Sequence, residues 1–455
     1  MKNLEQISTL FLNTSSFLYL LAAIFFFILL SKRKESPAIL FSSQSLVWVA
    51  FGLHTLGLFL RWYLGGIHRP PWTNLYESLV FFAWGPALIQ IISQKRWKFP
   101  LLGAVLMPLV FLIMGMAVMS PNKEIEPLIP ALQSNWLKIH VIFGMLSYAA
   151  FTVSACFAFL ALIRNGFSLS KLGAVLAIVS SFNVLLLGGK DLWRTGEFRM
   201  TQTAERKLAN GKTIHVQEKA PLYKGGPVQT KTQKIPGAQI PFYASVFLFL
   251  FSAILLYFRR KEKPFQNKSN PSIEEAFESS ADLSGFGAFV FDGAQFSLTL
   301  LLGIIFYQSQ QMTSLSLSSN PYLLMLLLTT LFFNLFFYLG RFRLKNFLKN
   351  LPNAERLDEL SYVNILWGFP FQTLLLITGA IWAYYAWGRS WGWDPKEIGA
   401  LITWMVYLLY LHGKLLFNWK KNTLSLIAIL GFVVLVFAFL GVNLVLSGLH
   451  SYGSA

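Results

Sequence analysis

The sequence predicts an all-α fold, a polytopic bundle of about twelve transmembrane helices with a small extracytoplasmic β-hairpin. Of the 455 residues, 55% are hydrophobic and only 13% are charged, with a mean hydropathy of +0.53. Soluble domains carry charge on about a quarter of their residues, and disordered chains have low hydrophobicity. Both classes are therefore excluded. Long apolar runs and an alternating charge pattern between them support the membrane prediction.

The apolar runs recur from one end of the chain to the other. A helix needs about 20 apolar residues to cross a bilayer. The basic cluster at 32–34 follows the first run instead of preceding it, which argues against a cleaved signal peptide. The predicted spans are 10–31, 38–60, 74–94, 99–119, 137–163, 171–189, 241–258, 286–307, 321–340, 362–386, 397–417 and 424–447.

The formal charge of +18 is attributed to basic loops that set the orientation of the chain in the membrane, and no nucleic-acid partner is predicted. Short basic segments are typical of the cytoplasmic side of a membrane, and here they fall in every second connection. Both termini are therefore expected outside. The single cysteine, Cys156, excludes an intramolecular disulfide, a cysteine-based zinc site and a C-x-x-C pair. The basic segments lie at 32–34, 95–98, 164–171, 259–263, 341–349 and 414–421.

The outer segment 190–240 is the one sizeable region predicted outside the membrane. Asn210-Gly211 separates 198–209 from 212–217, and both flanks alternate in part between polar and apolar residues. This pattern predicts a β-hairpin with a two-residue turn. The inner segment 259–285 is rich in Ser, Asn and Glu and is predicted to be a flexible linker.

The sharpest local feature is a loop with three tryptophans in seven residues, Trp387, Trp391 and Trp393. An interfacial aromatic belt accounts for one or two of them. The intervening glycines let the backbone turn closely and present flat indoles together, which suits a large, flat, apolar ligand with polar edges, such as a porphyrin. Further aromatic residues follow at three-residue spacing on one helix face, at Trp404, Tyr407 and Tyr410.

The end of this loop predicts a helix start. Asp394 at the N-cap, Pro395 at the first position and Glu397 at the third form a capping-box pattern. Starting the helix is taken as the main role of the two carboxylates, and a direct ligand contact is the second interpretation.

Two histidines are predicted at the same outer level as the tryptophan loop. His140 begins the fifth span, and His450 follows the last one. A lone interfacial histidine is usually a hydrated residue. Two at one depth beside such a loop fit the axial ligands of a haem iron.

The other histidines differ in depth. His412 lies about 22 Å below Glu397 along the helix, so it is either a functional group inside the membrane or a helix–helix hydrogen-bonding group. His54 is predicted to serve helix packing. His68 lies on an outer loop, solvated or near the ligand, and His215 falls in the predicted hairpin.

These motifs together resemble the CcsA/ResC family of system II cytochrome c biogenesis proteins. The segment Trp387–Glu397 is similar to the family's tryptophan-rich signature, and segments 73–79, 140–149, 357–370 and 448–453 agree with it in order. The resemblance covers about 40–163 and 355–453. It divides the chain into N-terminal helices 1–163, a family-atypical insertion 164–350 with extra spans, and a haem-handling core 351–455.

The resemblance implies a role for each matching position. His140 and His450 would ligate the iron of haem b at the outer loop, and His412 would receive haem deeper in the membrane. In the family, a CcsB/ResB-type partner or a fused domain supplies a second transmembrane histidine. A thiol-reducing pathway would keep the cysteines of apocytochrome c reduced. The implied location is the bacterial inner (plasma) membrane. The remaining implied haem contacts are Trp387, Trp391, Trp393 and Asp394.

The expected function is delivery of haem to the outer face for covalent attachment to the C-x-x-C-H segment of apocytochrome c, as a subunit of a cytochrome c synthase, or haem lyase, complex. This chain has no C-x-x-C-H of its own. One alternative is a haem exporter or chaperone that works with a separate lyase. Another is a secondary transporter of an aromatic or anionic solute, which predicts inverted repeats, and the sequence shows none.

Overall fold

The computed structural model describes residues 2–32, 36–66, 68–118, 125, 133–195, 199–201, 204–207, 213–216, 232–234, 237–258, 272–274, 277, 285–311, 330–331, 334 and 344–441. The fold is dominated by long α-helices. Their bounds are α1 Lys2–Ser31, α2 Pro37–Gly65, α3 Leu75–Lys95, α4 Gly103–Val118, α5 Asn135–Arg164, α6 Leu169–Thr195, α7 Gln239–Tyr257, α8 Phe286–Gln311, α9 Leu344–Asn350, α10 Ala354–Trp387, α11 Pro395–Leu415 and α12 Lys421–Val436. A 3₁₀ turn, Pro100–Leu102, precedes α4, and a π-helical turn, Phe437–Gly441, follows α12.

Ten helical segments in the described part of the chain are long and apolar enough to cross a membrane, so the protein is an integral membrane protein. They correspond to ten of the twelve predicted spans. The predicted span 171–189 falls in α6, whose apolar part, Leu169–Leu185, is shorter than a full crossing. The predicted span 321–340 lies almost entirely outside the described residues, so the count of twelve is not established.

Four short strands follow α6: β1 Arg199–Thr201, β2 Ala204–Lys207, β3 Thr213–Val216 and β4 Thr232–Lys234. Strand β2 pairs antiparallel with β3, and β1 pairs antiparallel with β4. The turn predicted at Asn210-Gly211 itself lies outside the described residues.

The chain forms two compact units, of which the first comprises 1–165, 267–276 and 345–454. In this unit α1 packs on α2 and α4, and α3 packs on α4 and α5. Helix α5 contacts α10 and α12, and α11 contacts α10 and α12. The second unit comprises 166–266 and 277–344, where α7 packs on both α6 and α8.

Helices of the first unit approach closely where small residues meet large ones. A Cβ on Gly144 of α5 would lie 2.8 Å from Leu375 of α10. A Cβ on Gly368 of α10 would lie 2.7 Å from Phe151 of α5. Small residues are the usual means of close helix packing in membranes, because apolar burial drives little association there. The pairing of α5 with α10 therefore depends on the absence of these two side chains.

The aromatic residues Tyr407 and Tyr410 belong to the helix core and do not extend the tryptophan loop. Both are buried, and the ring of Tyr407 stacks on Phe151 with centroids 3.5 Å apart. Only Trp404 remains partly exposed, and its indole donates a hydrogen bond to Thr373 Oγ1. The three-residue spacing of Tyr407 and Tyr410 therefore reflects the packing of α11 against α5, α10 and α12.

A buried charge network fixes the segment between α2 and α3. Glu77 is fully buried, and its Oε1 accepts hydrogen bonds from Arg61 at 3.1 Å and Arg69 at 3.0 Å. Its Oε2 accepts from the backbone N–H and the hydroxyl of Thr73. Buried ions need such complete partnering, because removing one partner leaves the others without compensation. Glu77 thus ties the connecting segment to the first turn of α3.

We expect Glu77→Gln to destabilise the protein by about 3–5 kcal/mol, since two buried guanidinium groups would lose their counter-charge. Thermal unfolding of the full chain in detergent micelles measures the loss. Glu355→Gln is the matched control, because Glu355 pairs with Lys421 on the surface. An exposed pair contributes about 0–1 kcal/mol. Equal melting temperatures for the two variants would contradict the assignment.

Candidate functional site

A cavity of about 250 Å³ opens among the ends of α3, α5, α10 and α11. Its walls are mainly apolar and aromatic, and they include residues from the α2–α3 segment and the turn after α12. Ligand pockets usually combine such walls with a few polar groups that set the orientation of the ligand. Here the polar and aromatic lining residues are Trp72, Lys138, His140, Tyr148, Trp382, Trp391, Lys396 and Glu397, among others.

His140 lines this cavity in a defined orientation. Its Nδ1 lies 2.9 Å from the carbonyl oxygen of Leu375 in α10. A carbonyl oxygen only accepts hydrogen bonds, so Nδ1 carries the proton and Nε2 of the neutral ring keeps a lone pair. The ring also stacks on Trp382, with centroids 6.2 Å apart and planes inclined at 26°. An imidazole held in this way is suited to donate Nε2 to a metal ion.

The position of His140 depends on a glycine in the facing helix. A Cβ added to Gly379 would lie 2.8 Å from Cε1 and 2.9 Å from Nδ1 of the imidazole. Real Cβ contacts are essentially never this short, so any side chain at 379 would displace the ring. Gly379 and Gly368 are eleven residues apart, about three turns, which places both on the face of α10 that meets α5.

The tryptophan loop connects α10 to α11 through two left-handed residues. Gly388 ends α10 with φ of 72°, and Trp393 has φ of 56° just before the next helix. The rings of Trp391 and Trp393 meet edge to face at 5.8 Å. Trp391 lines the cavity, whereas the side chain of Trp393 is 69% exposed.

The predicted capping box at the start of α11 is confirmed. Asp394 Oδ1 accepts from the backbone N–H of Lys396, and the backbone N–H of Asp394 donates in return to Glu397 Oε2. Glu397 Oε2 also accepts from the N–H of Gly392 at 2.7 Å. The two carboxylates therefore fold the loop back onto the helix, and Asp394 is buried at this cap.

The structure brings together only part of the predicted set. Trp387 does not line the cavity but packs against Trp382, with centroids 4.8 Å apart. Asp394 and Trp393 are likewise outside the lining. The predicted second outer ligand, His450, lies outside the described residues.

The remaining histidines are separate from the cavity lining. His412, near the end of α11, is exposed, and its Nδ1 donates to the Leu408 carbonyl at 2.9 Å. His54 is fully buried between the Val80 carbonyl and the Tyr19 hydroxyl, which confirms its predicted role in helix packing. His68 is exposed between α2 and α3.

Sequence reasoning missed several lining residues. Trp72 and Leu375 gave no sign of their role, because their contribution depends on how distant segments pack. Trp382 precedes the tryptophan loop, and nothing in the sequence around it indicates its contact with His140. The glycine pair at 368 and 379 was a usable signal, since two glycines on one face of a membrane helix indicate a close neighbour.

We expect Gly379→Ala to destabilise the protein by about 1–3 kcal/mol, the usual cost of overpacking a filled site. The added methyl group would push against the His140 ring. Gly52→Ala is the matched control, because no atom lies within 4 Å of the Cβ position at this helical glycine. It should leave stability unchanged or raise it by up to about 1 kcal/mol. Thermal unfolding in micelles compares the two, and equal shifts would be evidence against the close contact.

Comparison with known proteins places these features in a family. The family model described as cytochrome C assembly protein matches residues 72–219 and 235–450. The CcsA cytochrome c biogenesis protein of Nostoc punctiforme is 30% identical over 396 residues, which cover 86% of this chain and 83% of the relative. The CcsA protein of Prochlorococcus marinus strain NATL2A is 28% identical and covers 95% of this chain and 92% of the relative.

A solved structure described as cytochrome c heme lyase CcmF aligns over 98% of this chain and 72% of its own, with 15% identity and a TM-score of 0.30. A likeness at this level establishes no shared fold. The family assignment depends instead on the matched length of the sequence and on the CcsA relatives. From these, the chain belongs to the cytochrome c assembly family as a CcsA-type cytochrome c biogenesis protein.

Proposed function

We propose that the protein delivers haem to the outer face of the membrane and presents it, together with a CcsB/ResB-type partner, for thioether attachment to apocytochrome c. The observation that carries this proposal is His140, whose imidazole is oriented by the Leu375 carbonyl inside an aromatic cavity. The family match restricts the chemistry to cytochrome c assembly, and haem, as haem b, is the cargo that such a site would hold.

The donor set of the cavity fits a haem iron. Neutral imidazole is a common axial ligand, and the hydrogen bond at Nδ1 favours ligation through Nε2. The cysteine of the chain, Cys156, is buried within α5 and is absent from the cavity lining. Among the described lining residues, His140 is the imidazole, and we assign iron ligation in this cavity to it.

The aromatic walls fit the porphyrin ring. Trp391 and Trp382 lie beside His140 in the cavity, and flat apolar rings favour stacking or edge-on contacts with one another. A volume of about 250 Å³ is below the 300–1,000 Å³ usual for drug-sized ligands. The cavity would therefore enclose one part of the ring, and the exposed Trp393 would contact the rest.

His450 is proposed as the second axial ligand. It follows α12 and the π-helical turn that ends at Gly441, and the family match extends to this residue. Ala438 and Phe439 of the same turn line the cavity, and His450 follows Phe439 by eleven residues. This short separation in sequence supports the proposal that His450 serves the same cavity.

His412 is proposed as a separate site deeper in the membrane. It begins the last turn of α11, at the opposite end from the cavity, and it faces outward. An ionisable residue exposed on a membrane helix is costly in lipid and needs a partner. A histidine from a CcsB/ResB-type protein would complete this site, and haem would pass from it to the outer cavity.

The chain itself would hold and orient haem, while the reacting groups would belong to haem and to apocytochrome c. When haem is bound, its vinyl groups accept the two thiols of a C-x-x-C-H segment, which a thiol-reducing pathway keeps reduced. His140 and His450 would hold the iron until the histidine of the substrate replaces one of them. The tryptophan loop would orient the ring and exclude water. The loop and both termini are proposed to lie outside the bacterial inner membrane.

We expect the full chain, purified with its partner, to show the absorption spectrum of bis-histidine haem. Replacing His140 and His450 together with Ala should abolish that spectrum and cytochrome c maturation, because both axial bonds are lost. His68→Ala is the matched control, as His68 is an exposed outer histidine outside the cavity lining. A double variant with an unchanged spectrum would refute the ligand assignment.

A separate result is expected for His412→Ala. Haem bound at the outer cavity from solution should keep its spectrum, whereas maturation in cells should fall at least about tenfold, the effect of about 1.4 kcal/mol. Spectra and covalent haem staining of a c-type cytochrome measure the two effects. Normal maturation in this variant would remove His412 from the haem path.

A further inference from the structure

We infer that Gln372 is a positioning residue for the outer cavity, because it sets the distance between His140 on α5 and the tryptophan loop that precedes α11. This inference rests on the proposed function, since its test uses haem as the ligand of the cavity. Gln372 lies in α10 and is absent from the cavity lining, so it would act through the helices that carry the lining residues.

The side chain of Gln372 is fully buried and hydrogen-bonds to two other helices. Its Oε1 accepts from the hydroxyl of Ser147 in α5 at 2.9 Å. Its Nε2 donates to the carbonyl oxygen of Ala400 in α11 at 3.1 Å. Because Gln372 itself belongs to α10, one amide joins three helices. Hydrogen bonds of this kind hold membrane helices together, since lipid leaves apolar contacts little driving force.

The amide of Gln372 lies at the base of the cavity. Ala400, its partner in α11, is one of the lining residues. Leu375, whose carbonyl oxygen binds His140, follows Gln372 in α10 by three residues, which is nearly one helical turn. The two hydrogen bonds of the amide therefore fix the helices at the point where the walls of the cavity begin.

Helices α5 and α11 also contact each other directly, farther from the cavity. There the ring of Phe151 in α5 stacks on Tyr407 in α11, with centroids 3.5 Å apart. From this contact α5 leads to His140, and α11 leads through Ala400 to the tryptophan loop. The cavity lies between those two ends. The hydrogen bonds of Gln372 lie between the aromatic contact and the cavity, so they control how far the two ends separate.

The orientation of the iron-binding imidazole has a separate origin. His140 is held by the Leu375 carbonyl and by its close approach to Gly379, which are contacts between α5 and α10. The bond from Gln372 to α11 instead fixes the helix that follows Trp391. Groups that bind a ligand must be held within about 0.5 Å of the productive geometry. Loss of the amide should therefore preserve iron ligation and weaken the contact of the tryptophan loop with the ring.

The test uses Gln372→Met, which keeps the length of the side chain and removes both hydrogen bonds. Ferric haem is bound to the full chain in lipid nanodiscs, and its transfer to excess apomyoglobin is followed by absorption. The axial-ligand spectrum should stay as in the wild type. Haem release should be at least about tenfold faster, as expected for the loss of interhelical hydrogen bonds at the base of the site.

The Gln372→Met variant is expected to fold. The Ala400 carbonyl keeps the N–H of its own helix, and the Ser147 hydroxyl can donate to a backbone carbonyl of α5. Ser147→Ala is a milder change that removes the link to α5 and keeps the link to α11, so haem release should accelerate by a smaller factor. Adding Ser147→Ala to Gln372→Met should have no further effect, because the two side chains share one hydrogen bond.

Asn364→Leu is the matched control. Asn364 is a buried amide of the same helix, but its Nδ2 donates to the Leu360 carbonyl within α10. This variant should release haem at the wild-type rate, even where its melting temperature falls as much as that of Gln372→Met. Wild-type release from Gln372→Met, equal acceleration in Asn364→Leu, or a changed axial-ligand spectrum would overturn this inference and leave the proposed function intact. Failure of the wild type to bind haem would overturn both.

Discussion

The candidate site depends on how closely the backbones of α5 and α10 approach each other. Gly144, Gly368 and Gly379 remove the side chains that would keep the helices apart. Between Gly368 and Gly379 the Leu375 carbonyl lies within hydrogen-bonding distance of His140. The imidazole orientation is therefore a consequence of helix packing, and no local turn or cap sets it. A wider spacing would leave Leu375 out of reach and Trp382 no longer stacked on the ring.

The buried ions on α2 and α3 make a second contribution to the same cavity. Glu77 holds Arg61, Arg69 and Thr73, so the segment before α3 is fixed at its charged end. Trp72 lies inside this segment and lines the cavity. Buried ions contribute little net stability, because the cost of removing them from water offsets their attraction. The network instead fixes the position of the segment. Only one arrangement pairs all the charged groups, and an arrangement that leaves one of them unpaired is strongly unfavourable.

Local features of the site could be read from the sequence, and tertiary ones could not. The start of α11 was predictable because a capping box is set by residues three positions apart. The hydrophobic runs gave the bounds of most helices within a few residues. The spacing of Tyr407 and Tyr410 indicated a shared helix face, but helical periodicity does not show which neighbours cover that face. The partner of His140 lies 235 residues away in sequence, and no local pattern encodes such a distance.

The carboxylates around the cavity have structural roles that helical periodicity does not reveal. The carboxylates Glu77, Asp394 and Glu397 all accept hydrogen bonds within the protein, from guanidinium groups or from backbone N–H groups. Each therefore fixes the conformation of a segment. Glu77 holds the segment that carries Trp72, and Glu397 holds the loop that carries Trp391, and both tryptophans line the cavity. The shape of the cavity therefore depends on these buried polar contacts as well as on the packing of the helices.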